Sequence, residues 1–151
     1  MANTQRPISV LLVDDDPGDV LMIEEALEST GAPRTVYVVN DGEEALAFLR
    51  QTGQFSDAPR PDVILLDLNM PRMDGRQVLA EVKADATLRS IPIVVLTTSQ
   101  SPADITSSYS LHANAYVTKP MNLDDLTEVV HKIDYFFARI AALPSQRPVV
   151  D

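Results

Sequence analysis

The sequence predicts an α/β protein with one domain, built on a doubly wound, five-stranded parallel sheet. Five short runs rich in Val, Ile and Leu recur along the chain, and none shows the polar alternation of a sheet with one wet face. Such runs are typical of parallel strands that helices cover on both faces. The runs recur at close to the roughly 30 residues of a strand–helix–strand unit, and the segments between them carry apolar residues at helical spacing.

We expect each apolar run to form a strand of this sheet. The Pro and Gly residues fall outside the expected elements or near their ends, which supports these limits. The expected strands cover residues 8–13, 35–39, 62–67, 93–97 and 115–118.

Each of the first three intervening segments carries one apolar helical stripe, and we expect Gly31 and Gly53 to end the first two helices. Ser101 followed by Pro102 is typical of the start of a fourth helix, and Asn122 can cap a fifth. The stripe residues are Val20, Ile23 and Leu27, then Ala45, Leu46 and Leu49, then Val78, Leu79 and Val82.

Composition excludes several classes of function. The chain of 151 residues has no Cys, which excludes disulfides, thiol nucleophiles and Cys-based zinc sites. Its net charge of −10 argues against nucleic acid or an anionic membrane as a direct partner, because both need a basic footprint. No apolar run is long enough to span a bilayer, and no secretory signal is visible at 1–7, so we expect a cytoplasmic protein.

Polar side chains follow four of the expected strands at one edge of the sheet. Asp14 and Asp15 come directly after the first strand, Asp67 ends the third, Thr97 ends the fourth and Lys119 follows the fifth. Ligands of doubly wound sheets bind beyond the carboxyl ends of the strands. If the strand order is 2-1-3-4-5, the first and third strands are neighbours, so Asp14 and Asp15 face Asp67.

Carboxylates that share a small pocket need a cation, because like charges raise one another's pKa. Mg²⁺ suits such a site, since it prefers oxygen ligands and leaves room for phosphate. With a lysine and a threonine hydroxyl beside it, the pocket fits phosphoryl transfer to an aspartate that attacks in line. Each residue alone has an ordinary explanation as a turn or a helix cap, but their joint placement favours a phosphoryl-transfer site.

Four segments make the chain resemble the receiver domain of two-component response regulators. They are VLLVDDDP at 10–17, DVILLDLNMPRMDG at 62–75, VVLTT at 94–98 and ANAYVTKP at 113–120. The resemblance covers residues 8–140 and implies a flavodoxin-like receiver fold with strand order 2-1-3-4-5. It also implies a phosphoacceptor protein rather than an enzyme.

The resemblance implies roles for the matching residues. Asp67 matches the phosphoacceptor, Lys119 the phosphate-binding lysine and Thr97 the switch hydroxyl. Tyr116 matches a switch aromatic that turns inward upon phosphorylation.

The resemblance also implies a Mg²⁺ site and a feature of the backbone. Asp14, Asp15, Asp67 and the backbone carbonyl of Asn69 match the metal ligands. Pro120 matches a proline that is usually cis in receivers, which would aim the preceding lysine into the pocket.

His112 stands where many receivers have Gly at the end of the fourth helix. We expect a left-handed backbone there, at some cost in stability.

A narrower resemblance is to the single-domain regulators that pair with bacterial and cyanobacterial phytochromes. It rests on residues 97–99 together with 111–114. It implies a sensor histidine kinase as the upstream partner, with a phytochrome as the narrower candidate.

We expect flexible tails at 1–7 and 144–151 around a receiver at 8–143, with no output domain. Signalling would then proceed by protein contact or by transfer to a histidine phosphotransfer protein.

The predicted fifth helix extends beyond the sheet. As one helix, residues 122–143 would span about 33 Å, whereas a five-residue strand covers about 17 Å. The overhanging half would expose an apolar patch, and such patches mark interfaces. We therefore expect a homodimer through Tyr135, Phe136, Phe137, Ile140 and Leu143.

Two other classes of protein compete with this interpretation. A haloacid-dehalogenase-type phosphatase also uses Asp, Thr, Lys and Mg²⁺, but its nucleophile belongs to an Asp-x-Asp motif, and here Asn69 stands two residues after Asp67. A receiver fold that acts as a phosphorylation-independent interaction module is the other alternative, and the complete set of site residues speaks against it. A nucleotide-binding Rossmann protein is excluded because no G-x-G-x-x-G follows a strand.

Overall fold

The computed structural model describes residues 7–31 and 33–144, which form one parallel sheet flanked by helices. The sheet has the strand order 2-1-3-4-5, which confirms the predicted topology. Apart from residues 7 and 144, the predicted tails lie outside the described residues. The strands are β1 (Ile8–Val13), β2 (Arg34–Val39), β3 (Val63–Leu66), β4 (Ile93–Thr97) and β5 (Ala115–Thr118).

One helix follows each strand, as predicted. The Ser101 hydroxyl accepts a hydrogen bond from the Asp104 N–H (3.3 Å), and the Asn122 side chain accepts one from the Asp125 N–H (2.8 Å), so both predicted N-caps are confirmed. The helices are α1 (Pro17–Glu28), α2 (Gly42–Arg50), α3 (Gly75–Ala84), α4 (Pro102–Ser110) and α5 (Leu123–Tyr135).

Alternating strand residues divide the core into two layers, because successive side chains of a strand point to opposite faces. In β1, Leu11 and Val13 pack with the apolar stripes of α2 and α3. Val10 and Leu12 pack on the other face with the stripes of α1 and α5. The sheet is therefore covered on both sides, and polar residues can gather only at its edges.

The ends of two helices depend on a left-handed residue that is not glycine. Gln51 adopts φ 57° and ends α2, so the prediction that Gly53 ends this helix is wrong; Gly53 begins a 3₁₀ turn (Gly53–Phe55). His112 adopts φ 73° after α4, which confirms the predicted left-handed backbone. Helix α1 ends three residues before Gly31, which is itself left-handed.

The last helix is shorter than predicted. A π-helical segment (Phe136–Ile140) continues α5, and Ala141 leaves the helix with an extended backbone. The expectation of one helix over 122–143 is therefore wrong at its end. The chain turns back after this point, and Leu143 packs half-buried against the core layer that α1 and α5 cover.

A buried ion pair fixes α5 to the edge strand β2. Arg34 Nε lies 2.7 Å from Asp134 Oδ1, and Arg34 Nη2 lies 2.6 Å from Asp134 Oδ2. Both side chains are only 4% exposed, and Arg34 Nη1 also donates to the Leu27 carbonyl at 2.9 Å. This two-pronged pairing orients the C-terminal half of α5.

Candidate functional site

Three carboxylates surround the ammonium group of Lys119, and two of them, Asp14 and Asp67, were predicted to meet at this edge of the sheet. Lys119 Nζ lies 2.7 Å from Asp14 Oδ2, 2.8 Å from Asp19 Oδ2 and 3.0 Å from Asp67 Oδ2. Lys119, Asp14 and Asp67 are all buried. Three strands that are distant in sequence therefore deliver their terminal residues to one pocket.

Backbone hydrogen bonds that extend the sheet hold these residues in place. The Asp67 N–H donates to the Val13 carbonyl at 2.9 Å, which continues the pairing of β3 with β1. The Lys119 N–H donates to the Thr97 carbonyl at 2.7 Å and continues the pairing of β5 with β4. The side chains project from the ends of a rigid sheet rather than from free loops.

The electrostatics of the pocket are dominated by burial and by one shared cation. Burial raises the pKa of Asp14, and the hydrogen bond from Lys119 only partly offsets that effect. Burial by itself would lower the pKa of Lys119, but the hydrogen bonds to Asp14 and Asp19 prevail and raise it above its ordinary value of 10.5. One ammonium thus serves three carboxylates, which leaves the pocket with surplus negative charge.

The same pocket contains a set of oxygen donors that fits a divalent cation. One carboxylate oxygen from each of Asp14, Asp15 and Asp67 lies within 4.8 Å of the others. Asp15 is exposed while the other two are buried, so the set faces solvent on one side. Hard oxygen ligands on an open site are the donor set that Mg²⁺ and Mn²⁺ prefer.

The loop after β3 is fixed against the pocket by close packing. The Asn69 N–H donates to Asp67 Oδ1 at 3.2 Å, which orients that carboxylate. The Gly75 N–H donates to the Leu68 carbonyl at 2.9 Å, and a Cβ at Gly75 would lie only 2.2 Å from the Asp67 carbonyl oxygen. The first turn of α3 therefore rests directly on the backbone of Asp67, and only glycine fits there.

The two predicted switch residues lie on neighbouring strands, with Thr97 at the end of β4 and Tyr116 on β5 in register with Val95. Thr97 is fully buried at the end of β4, and its hydroxyl lies 3.5 Å from the Ser99 N–H. Tyr116 on β5 is half-buried, and its hydroxyl donates to the Ser99 carbonyl at 2.9 Å. The loop between β4 and α4 thus contacts both residues.

Sequence reasoning missed Asp19 as a partner of Lys119. The available signal was an acidic residue in the first turn of α1, which the positive end of a helix also explains. Asp16, by contrast, caps α1 by accepting from the N–H groups of Gly18 and Asp19.

The described residues contain no cis peptide bond, so the expectation of a cis bond before Pro120 is wrong, although Lys119 still reaches the pocket.

The predicted dimer residues fall into two groups. Tyr135, Phe136 and Ile140 are 55%, 47% and 61% exposed. Phe137 and Leu143 are half-buried against the chain's own core. Together with β5, the end of α5 and the π-helical segment enclose an apolar groove of about 510 Å³, with Phe136, Phe137 and Leu143 in its lining.

The fold and this pocket place the chain in a known class. Residues 10–131 match the response regulator receiver domain, so the chain belongs to the response regulator receiver family. It is a receiver-domain response regulator, that is, a phosphoacceptor protein.

In the described part of the chain, no helix combines the length and the apolar character needed to cross a membrane.

Three relatives are similar over most of their length. Response regulator Rcp1 of Synechocystis sp. is 44% identical over 139 residues, which are 92% of this chain and 95% of the relative, and the structure of its Mn²⁺-bound form gives a TM-score of 0.88. The phosphorylated cyanobacterial phytochrome response regulator RcpA is 49% identical, with 93% and 100% of the chains covered and a TM-score of 0.90. The bacteriophytochrome response regulator AtBRR is 37% identical, with 93% and 99% covered and a TM-score of 0.73.

Proposed function

We propose that Asp67 is the residue that accepts a phosphoryl group from the phosphohistidine of a sensor histidine kinase in the cytoplasm. The contact between Lys119 Nζ and Asp67 Oδ2 at 3.0 Å carries this proposal, because it sets a fixed positive charge beside the nucleophilic oxygen. In the transfer, a carboxylate oxygen of Asp67 forms a bond to phosphorus while the bond from phosphorus to the histidine nitrogen breaks. The electron pair stays on the imidazole, which takes up a proton from solvent.

We propose Mg²⁺ as the resident cation, held by Asp14, Asp15, Asp67 and the backbone carbonyl of Asn69. The donor chemistry fits, since the three carboxylates offer hard oxygen ligands within 4.8 Å of one another. When bound, the cation would neutralise the surplus negative charge and stabilise the phosphoryl oxygens. Lys119 supplies a second positive charge for the same oxygens, and its many hydrogen bonds hold it in position.

The response to phosphorylation runs through Thr97 and Tyr116 in this proposal. Thr97 ends a strand beside Lys119, and its hydroxyl can turn to hydrogen-bond the new phosphoryl oxygens. Any shift of Thr97 also displaces Ser99, two residues on, whose carbonyl binds the Tyr116 hydroxyl. Phosphate then acts as a ligand that biases a two-state equilibrium of the surface formed by α4, β5 and α5.

The partner surface that we propose for the kinase lies on the rim of the pocket. A cavity of about 210 Å³ beside Lys119 is lined by Asp19, Thr98 and Met121 among others. Leu21 on α1, together with Met121 and Leu123 at the start of α5, is strongly exposed. Exposed apolar side chains within two to four residues of Asp19 and Lys119 suit a helical kinase surface that must bring its histidine close to Asp67.

We propose a phytochrome as the kinase, on the strength of the 49% identity to the phytochrome response regulator RcpA. After phosphorylation, the chain would signal by protein contact or would pass its phosphoryl group to a histidine phosphotransfer protein. Such a protein would present a histidine side chain to the same rim as the kinase does. A direct comparison of transfer from a purified phytochrome kinase and from an unrelated histidine kinase tests this choice. Equal transfer rates from both kinases would contradict it.

We also propose a homodimer through the exposed apolar surface of Tyr135, Phe136 and Ile140, with Phe137 and Leu143 in the groove behind it. Large side chains that are 47–61% exposed on one short segment favour contact with an apolar partner surface. Sedimentation at tens of micromolar should give the mass of two chains for the wild type. Replacing Phe136 and Ile140 with Ser should give the mass of one chain, whereas a dimer that survives both changes would contradict this interface.

Phosphorylation by acetyl phosphate tests the proposed function without a kinase. Intact mass should show one added phosphoryl group on the wild type only when Mg²⁺ is present, and none on Asp67→Asn. The control is Asp57→Asn, which changes an exposed acid outside the pocket. A folded wild type that takes up no phosphoryl group and does not bind beryllofluoride would contradict the proposal.

A further inference from the structure

A series of polar contacts outside the pocket connects α3 with Ser99, which stands two residues after Thr97. Arg76 on α3 pairs with Asp104 on α4 through Nη2 and Oδ1. The other carboxylate oxygen of Asp104 accepts a hydrogen bond from the Ser99 hydroxyl at 2.6 Å. We call these three residues, Arg76, Asp104 and Ser99, the Ser99 latch.

Ser99 makes four polar contacts at once through three of its atoms. Its hydroxyl donates to Asp104 and accepts from the Ser101 N–H at 3.3 Å. Its N–H points to the Thr97 hydroxyl at 3.5 Å, and its carbonyl accepts from the Tyr116 hydroxyl at 2.9 Å. Ser99 is thus the point at which the Arg76–Asp104 pair meets both residues of the proposed switch.

The composition of α4 explains why its start needs an anchor. The helix is rich in Ser and Thr, which are poor helix formers. The hydroxyl of Ser108, its one buried residue, has no hydrogen-bond partner among the described residues. A weak helix with an unsatisfied core hydroxyl gives the preceding loop little support, so the ion pair to α3 supplies support from outside.

We propose that Arg76 and Asp104 are positioning residues that set the lifetime of the phosphoryl group on Asp67 by fixing Ser99. This inference rests on the proposed function and deepens it. In the hydrolysis that ends the signal, a water oxygen forms a bond to phosphorus and the bond from phosphorus to Asp67 Oδ breaks. The products are inorganic phosphate and the Asp67 carboxylate, and the proton of the water goes to phosphate or solvent.

The latch slows this hydrolysis for two reasons. The single proton of the Ser99 hydroxyl is committed to Asp104, so this hydroxyl cannot turn toward the pocket and hold a water there. The loop that follows Thr97 is also fixed at the edge of the pocket. Opening the latch frees the hydroxyl and loosens the loop, and both changes admit water to the acyl phosphate.

The test measures the decay of the phosphorylated chain after excess acetyl phosphate is removed. We expect Arg76→Ala and Asp104→Asn each to shorten the lifetime about three- to tenfold, which is the range for losing one typical intramolecular hydrogen bond. Arg76→Lys should restore most of the lifetime, because it restores the charge beside Asp104. Arg50→Ala removes a comparable ion pair, Arg50 with Glu81 at 2.9 Å between α2 and α3, and should leave the lifetime unchanged.

Repeating the measurement in a Ser99→Ala chain shows whether Arg76 acts through the Ser99 hydroxyl or through a general effect on the structure. In a Ser99→Ala chain, Arg76→Ala should change the lifetime no further, because its effect passes through the serine hydroxyl. Equal lifetimes in the wild type and the latch variants, or an equal change in the Ser99→Ala background, would overturn the positioning role alone. No uptake of phosphoryl by the wild type would overturn this role together with the proposed function.

Discussion

Replacing Gly75 with Ala should displace the phosphoacceptor, because α3 rests on the backbone of Asp67 at this point. An added Cβ would lie 2.2 Å from the Asp67 carbonyl oxygen and 2.7 Å from the Leu68 Cα. Both neighbours are backbone atoms at the end of a buried strand, so neither can rotate away. Overpacking by one carbon costs about 1–3 kcal/mol of unfolding free energy, and the lack of a yielding side chain puts this variant near about 3 kcal/mol.

Urea unfolding followed by circular dichroism measures this loss, and Gly18→Ala is the matched control. A Cβ at Gly18 would meet only Asp16 Oδ1, at 3.3 Å, on the exposed first turn of α1. We expect the control to stay within about 0.5 kcal/mol of the wild type. Gly75→Ala should also take up phosphoryl from acetyl phosphate more slowly. If Gly75→Ala is as stable as the control, the argument from close packing is wrong.

Three further predictions follow from contacts away from the pocket. Arg34→Ala leaves Asp134 buried without its charge partner and should lower the unfolding free energy by about 3–5 kcal/mol; a loss below about 1 kcal/mol in urea unfolding would contradict this. His112→Gly removes a side chain from a left-handed residue (φ 73°) and should raise stability by about 1 kcal/mol, seen as a higher melting temperature, whereas a lower one would refute the strain. Hydrogen bonds from the Ser99 hydroxyl and from Arg76 hold the pKa of Asp104 below its ordinary value of 3.8. The ionised Asp104 side chain therefore stabilises the fold fully above pH 3.8, and this stabilisation is lost as the pH falls through the pKa of Asp104 in the folded state. The stability gap between the wild type and Asp104→Asn should therefore be larger at about pH 7 than at about pH 3, and a gap that does not narrow in acid would contradict the assignment.

The sheet could be predicted almost residue by residue because its strands are buried on both faces. Burial of this kind leaves an uninterrupted apolar run in the sequence, and β1, β4 and β5 begin and end where the runs predict. Strand β3 is one residue shorter than predicted at each end, because Asp62 and Asp67 flank its apolar residues. The strand order followed from the resemblance to receivers and not from the runs themselves.

The core of the site was predictable for a different reason. Asp14, Asp67, Thr97 and Lys119 each stand directly at the end of a strand, so the sheet itself brings them together. Asp19 was not predictable in this way, because it comes from the first turn of a helix and reaches the pocket by the direction of its side chain. Its role could be recognised only once the distance to Lys119 was known.

Contacts between elements that are far apart in sequence left no local signal. The Arg76–Asp104 pair joins two helices across 28 residues, and either residue alone has the pattern of an exposed helix position. The end of the last helix was mispredicted for a related reason. The apolar stripe continues to Leu143, but that residue packs on the core from a turn after Ile140 rather than from a longer helix.

Locating the phosphoryl group in the chain tests directly whether Asp67 is the phosphoacceptor. The wild type is phosphorylated by acetyl phosphate with Mg²⁺ and then reduced with borohydride, which converts an aspartyl phosphate to homoserine. We predict homoserine at position 67 in the peptide map, and none when Mg²⁺ is left out. Homoserine at position 14 or 15 instead, or an unreduced phosphate on a serine or threonine, would contradict the assignment of Asp67 as the phosphoacceptor.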